Sequence, residues 1–130
     1  MAFDNREDSV GVSFFSHMTP LQLRPLLCGA KICVMPTKCF ETFGLSIVES
    51  TLAGCIPLVR DIGSLNETAQ KYAGLIFTDS KNPYFLACKL QEVLEDYPRK
   101  WEDFSKRREV VIQALQTKNY VNDLSSLYFD

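Results

Sequence analysis

Lys31-Ile32-Cys33-Val34-Met35-Pro36 and, after a short loop, Glu41-Thr42-Phe43-Gly44-Leu45-Ser46-Ile47-Val48-Glu49 are the stretches that decide the fold. The first is a continuous apolar run of the kind buried on both faces of a parallel sheet, and its proline ends it. The second opens a helix over residues 44–53, with Leu45, Val48 and Leu52 at three- and four-residue spacing as its packing face and Gly54 as a natural stop. A helix start offers unpaired N–H groups and a partial positive charge, the seat a phosphate prefers. Carboxylates repel phosphate, so Glu41 and Glu49, one on each side of that start, are expected to hold what is attached to it.

Toward the N-terminus, residues 10–15 form a short β-branched and aromatic run that reads as a strand ending at Ser16-His17-Met18. Thr19 followed by Pro20 is a helix start, and Leu23, Leu26 and Leu27 lie on one face before Gly29. Pro25 limits this helix, which reads as two short turns. Toward the C-terminus, residues 56–59 are a third strand and residues 75–77 a fourth. Helices are expected over residues 65–72, with Ser64 as N-cap, and over 83–95, capped from Thr78-Asp79-Ser80. A long helix then runs over 98–116 with Trp101, Phe104, Val111 and Leu115 inside, and a last apolar helix over 120–129. Lys106-Arg107-Arg108 reads as a solvated helix face.

This alternation predicts one α/β domain over residues 1–130, with a Rossmann-like, mainly parallel sheet of about four strands, flanking helices and C-terminal helices over 97–130. Ligands in such sheets bind at the C-terminal ends of the strands, and the loops there are 16–19, 36–43, 60–64 and 78–80. The chain of 130 residues carries a net charge of −2, 46% hydrophobic and 23% charged residues, so it has no basic footprint for nucleic acid. No apolar run spans a bilayer and residues 1–10 do not read as a signal peptide, which predicts a cytoplasmic location, or attachment at a membrane surface through a partner. Five cysteines without Cys-x-x-Cys spacing are expected to be reduced core thiols.

The run Val34-Met35-Pro36-Thr37, then residues 41–49, Gly54 and Pro57, then Asp61-Ile62-Gly63-Ser64-Leu65-Asn66-Glu67 and Gly74-Leu75-Ile76-Phe77, resembles the donor-binding C-terminal domain of retaining glycosyltransferases of the GT-B fold, group 1 type. The resemblance covers roughly residues 10–94. It implies transfer of a sugar, of hexosyl type, from a nucleotide-activated donor with retention. Glu41 would meet hydroxyls of the donor sugar, Glu49 the ribose, and the backbone at Phe43-Gly44-Leu45 the phosphates. Whether Glu41 is a nucleophile or stabilises developing positive charge stays open. Thr37 is either a base or phosphate contact or part of a solvated loop, and His17 either touches base or ribose or does not. No metal and no cofactor are expected beyond the nucleotide sugar itself.

The resemblance also implies what this sequence does not contain. Relatives carry an Arg and Lys pair that neutralises the donor diphosphate, in earlier units of the domain, and an N-terminal acceptor-binding half. The chain therefore reads as a truncated domain, inactive alone, whose acceptor half comes from a longer protein or a partner chain; an exposed sheet edge would suit a homodimer. The alternative is a non-catalytic nucleotide-binding or interaction module derived from such an enzyme. Ser64 and Asn66 stand where a second Gly and a Pro are common, and two residues separate Gly54 from Pro57 where many relatives have one.

Overall fold

Thr19 starts the first helix as its sequence dictates. In a computed structural model, which describes residues 11–116, the Thr19 hydroxyl and the Gln22 side chain cap each other's backbone in a capping box, and α1 runs over Pro20–Gly29. Pro25 does not split it. The hydrogen bond that Pro25 forgoes would have gone to the carbonyl of Leu21, a residue 83% exposed, where water can take its place.

Three parallel strands follow among the described residues: β1, Ile32–Met35; β2, Ile56–Arg60; and β3, Leu75–Phe77. Their spatial order is β1-β2-β3, with Val34 beside Leu58 and Leu58 beside Leu75. The run at 10–15 does not add a fourth. Val10 lies outside the described residues, and the rest of the run is not helical or sheet-bound except for an isolated bridge at Phe15. Gly11 takes φ +84°, and Val12 and Phe15 stay exposed, so the run is not buried as a strand of the sheet would be.

Position in the sheet explains the burial. Every residue of β2 is buried, whereas β1, at the edge, is only half-buried, contrary to its reading as a strand covered on both faces. Pro57 is tolerated in the central strand. Ile56 donates its N–H to the Lys31 carbonyl (3.1 Å), so the next residue faces the other edge, where β3 begins only opposite Leu58.

The helix α2, Leu45–Ala53, packs on β2 through Ile47, Ser50 and Thr51; of the expected face only Val48 packs against the same core, and Leu45 and Leu52 do not. Leu45 is 68% exposed and Leu52 is also exposed, while Val48 is half-buried. Small hydroxyl side chains let the helix sit close, because each hydroxyl has a backbone partner: Ser50 donates to the Ser46 carbonyl (2.8 Å), Thr51 to the Tyr72 carbonyl (2.6 Å). The helix α3, Leu65–Lys71, adds Leu65 and Ala69 to a cluster with Ile47, Val59 and Tyr72. The Ser64 hydroxyl does not cap α3; it donates to the Glu41 carbonyl.

The helices α4, Tyr84–Glu95, and α5, Tyr97–Ala114, complete the described chain. Asn82, rather than Thr78-Asp79-Ser80, receives the first free N–H of α4, that of Tyr84 (3.0 Å). Asp79 and Ser80 are engaged by Arg60 instead. On α5, Phe104 and Val111 are buried as predicted, but Trp101 and Leu115 are partly exposed; Trp101 lies between Tyr97 and Phe104. A second cluster joins Phe104 to Ile56 and Ala73 at the strand starts, so α5 spans both clusters. The helix expected over 120–129 lies outside the described residues.

Lys106-Arg107-Arg108 is only partly a solvated face. Lys106 pairs with Glu102 in the open, but Arg107 donates to the Gln70 carbonyl and Arg108 to the carbonyls of Thr51 and Leu52, both at 2.7 Å. A cation at the carbonyl end of α2 is favoured by the helix dipole, and it adds a second donor to the Thr51 carbonyl, which already accepts from the Gly54 N–H (3.1 Å). The cysteines likewise differ from a set of core thiols: Cys55 is buried and Cys33 half-buried, but Cys28, Cys39 and Cys88 are exposed, and all five are free. Burial, then the neighbouring Cys33, pushes the Cys55 thiol up to about 12.

Candidate functional site

Two helix faces enclose a cleft among the described residues. On α1 the face is Pro20, Leu23, Arg24, Leu27 and Cys28; on α2 it is Glu49, Leu52 and Ala53. Both sets follow the three- and four-residue repeat of one side of a helix. The cleft between them has a volume of about 690 Å³ and is lined also by His17, Met18 and Arg108 of α5. That volume falls within the range of small-molecule sites. Two of the sequence-predicted residues, His17 and Glu49, are therefore brought together.

The other predicted residues lie apart from this cleft, at the strand ends. Gly44 precedes α2 with φ +76°, and a Cβ there would stand 2.7 Å from Leu65 Cδ2, so only glycine fits the approach of the loop to the core. Its carbonyl accepts from the Ile47 N–H at 2.9 Å. Of the first-turn amides, those of the exposed Leu45 and Ser46 are then the ones that helix geometry leaves open. Phe43 is set edge-on to Tyr72, with ring centroids 5.6 Å apart.

The loop over residues 36–43 presents Glu41 exposed, with its backbone carbonyl fixed by Ser64. Phe40 lies against Gly63. The Thr37 hydroxyl accepts from the Cys39 N–H (3.1 Å), so it shapes the loop. Among the described residues no three His, Cys, Asp or Glu side chains are grouped so that they could hold a metal ion. No helix among them is long and apolar enough to cross a membrane.

Three arginines were not read as site residues from the sequence. Arg24 and Arg108 border the cleft, and Arg60 ties the strand ends together. For Arg24 a signal existed, since it shares a helical stripe with Leu23, Leu27 and Cys28. For Arg108 and Arg60 none did, because their partners lie between 19 and 57 residues away in sequence.

The sequence pattern of the glycosyl transferases group 1 family matches residues 3–114. The chain belongs to this family. Among curated relatives, a glycogen synthase of Deinococcus radiodurans is 32% identical over 97 residues, 74% of this chain and 22% of its own length. A glycogen synthase of Geobacillus thermodenitrificans is 33% identical over 91 residues, 63% of this chain and 18% of its own length. The chain thus spans about a fifth of the length of these relatives. The parallel three-stranded sheet with flanking helices is that of a Rossmann-like domain, as expected of the C-terminal domain of a GT-B glycosyltransferase. In this glycosyltransferase domain the two glutamates are divided: Glu49 belongs to the interhelical cleft and Glu41 to the strand-end loop.

Proposed function

We propose that this chain forms the donor-binding side of a retaining glycosyltransferase, seating a nucleotide-activated hexose across the start of α2, with the acceptor side supplied by a further segment or a partner chain. The start of α2 carries the reading: two open amides on an exposed helix turn, held there by Gly44, with a glutamate on either side. Glu49 is the fifth residue of α2, so about 6 Å along the axis separates it from Leu45, a span that suits a ribose joined to a diphosphate at the helix start. His17, across the cleft, faces the nucleoside portion. Glu41 serves the sugar.

As the bond between the sugar and the diphosphate lengthens, positive charge grows on the sugar ring and negative charge on the leaving group. The α2 amides meet the second and the Glu41 carboxylate the first, while hydrogen bonds to sugar hydroxyls hold the geometry. No step draws on a metal, so binding survives EDTA. The glycogen synthases among the relatives make a glucan the first acceptor class to try.

Calorimetry of the full chain with a panel of nucleoside diphosphates and nucleotide sugars tests the reading. Weak binding is expected, reduced about tenfold or more in Glu49→Ala through loss of hydrogen bonds to a charged group. The thermal midpoint should not move, because Glu49 is exposed. No heat with any member of the panel would sink the donor-site reading and leave an interaction module. Sugar transfer by the purified chain alone would overturn the need for a separate acceptor side.

A further inference from the structure

Arg60 is the last residue of the central strand, 8% exposed, with a strand ending on either side of it. One guanidinium nitrogen donates to the Asp79 carboxylate (3.0 Å) and the Ser80 carbonyl (2.8 Å), beyond β3. Its other terminal nitrogen reaches the Pro36 carbonyl (3.4 Å), just beyond β1. The guanidinium carbon stands 5.4 Å from the centre of the Phe77 ring. A single side chain thus joins the two flanking strand ends. Its Nε is buried without a hydrogen-bond partner among the described residues. A buried guanidinium with an orphan donor is a poor source of stability, since an apolar side chain would fill the same place without that cost. What the planar fork supplies, and an apolar residue cannot, is a fixed distance and direction between two loops.

The loop that begins at Pro36 carries Thr37 and Glu41. Its far end is held by the Ser64 hydroxyl on the Glu41 carbonyl and by Phe40 against Gly63. Both anchors therefore belong to residues 60–64. Glu49 and His17 stand on α2 and on the turn before α1, and the packing of α2 runs through Ile47, Ser50 and Thr51 without Arg60. We propose that Arg60 is a positioning residue that holds Pro36 against the loop after β3 and, with Ser64, fixes where Glu41 is presented to a donor sugar. Its link to the sugar rests on the donor-site reading above; the positioning itself does not.

Hydrogen exchange read by mass spectrometry on the full chain, with Arg60→Met, Arg60→Lys and Ser64→Ala, decides the positioning. Arg60→Met should speed exchange about tenfold or more in residues 37–43 and 78–82 while α2 keeps its protection. Arg60→Lys, retaining one of the donor contacts, should fall between, and Ser64→Ala should loosen only residues 40–43. Calorimetry of the same variants should leave nucleoside diphosphate affinity within about twofold and remove the added affinity of the nucleotide sugar. Unchanged exchange in residues 37–43, or equal acceleration throughout α2 and β2, overturns the proposal, as does a loosened loop that keeps the full sugar increment. If the parent chain binds no nucleotide at all, the donor-site reading fails while the exchange arm still rules on Arg60.

Discussion

The two sides of β2 are built differently. Toward α3 and β3 the strand meets a closed core in which Ile47, Val59, Leu65, Ala69 and Tyr72 exclude solvent, and the buried Ser50 and Thr51 hydroxyls have carbonyl partners. Toward β1 and α1 the packing is open: no residue of α1 is buried and all of β1 is half-exposed. The cleft that joins His17 to Glu49 lies on this second side. The closed core and the cleft thus lie on different sides of the strand, and stability losses should sort by side.

A pair of identical substitutions puts the largest strain on that comparison. Leu58→Ala removes a wholly buried side chain from the central strand and should cost about 2–5 kcal/mol in urea unfolding. Leu21→Ala on α1 should stay within about 0.5 kcal/mol of the parent. Equal losses would mean that the α1 side is packed in solution.

A smaller effect is expected where α5 meets α2. Arg108→Ala removes the charged donor from the Thr51 and Leu52 carbonyls, leaving Thr51 its bond from the Gly54 N–H, and should cost about 1 kcal/mol, read as a lower thermal midpoint. Lys106→Ala, two residues earlier and paired only with the exposed Glu102, should change almost nothing. If the two behave alike, α5 does not brace α2 in the way its contacts imply.

The least perturbing comparison uses the cysteines as reporters. With its pKa raised to about 12, Cys55 stays a protonated thiol at pH 8 and should resist a thiol reagent in the folded chain. Cys28, on the open side, together with Cys39 and Cys88, should react first. Unfolding in guanidinium should bring all five to one rate. Early loss of Cys55 would show that the closed side opens.

Residue chemistry made the element order legible. The Thr19-Pro20 start, the Pro36 stop, Gly44 and Gly54 around α2, and the apolar run of β2 act over a few residues each, and all stand where they were expected. The same locality explains what was misread. Leu45 and Leu52 look like a packing face by spacing, yet Ile47, Ser50 and Thr51 face the sheet. The two buried hydroxyls are acceptable there because carbonyls receive them, that of Ser46 for Ser50 and the distant one of Tyr72 for Thr51. The part of the run at 10–15 that is described has strand composition but adds no strand to the described sheet.

By itself the sequence determined the α/β alternation, the family, and the pairing of an exposed helix start with two glutamates. Those depend on side-chain pattern and on backbone needs such as the positive φ at Gly44, which a linear reading carries. Only the tertiary structure decided that Glu49 and His17 share a cleft while Glu41 stands apart on a loop held by Arg60 and Ser64. That division is made by hydrogen bonds and packing between residues more than 20 positions apart, for which the spacing of residues along the chain contains no rule.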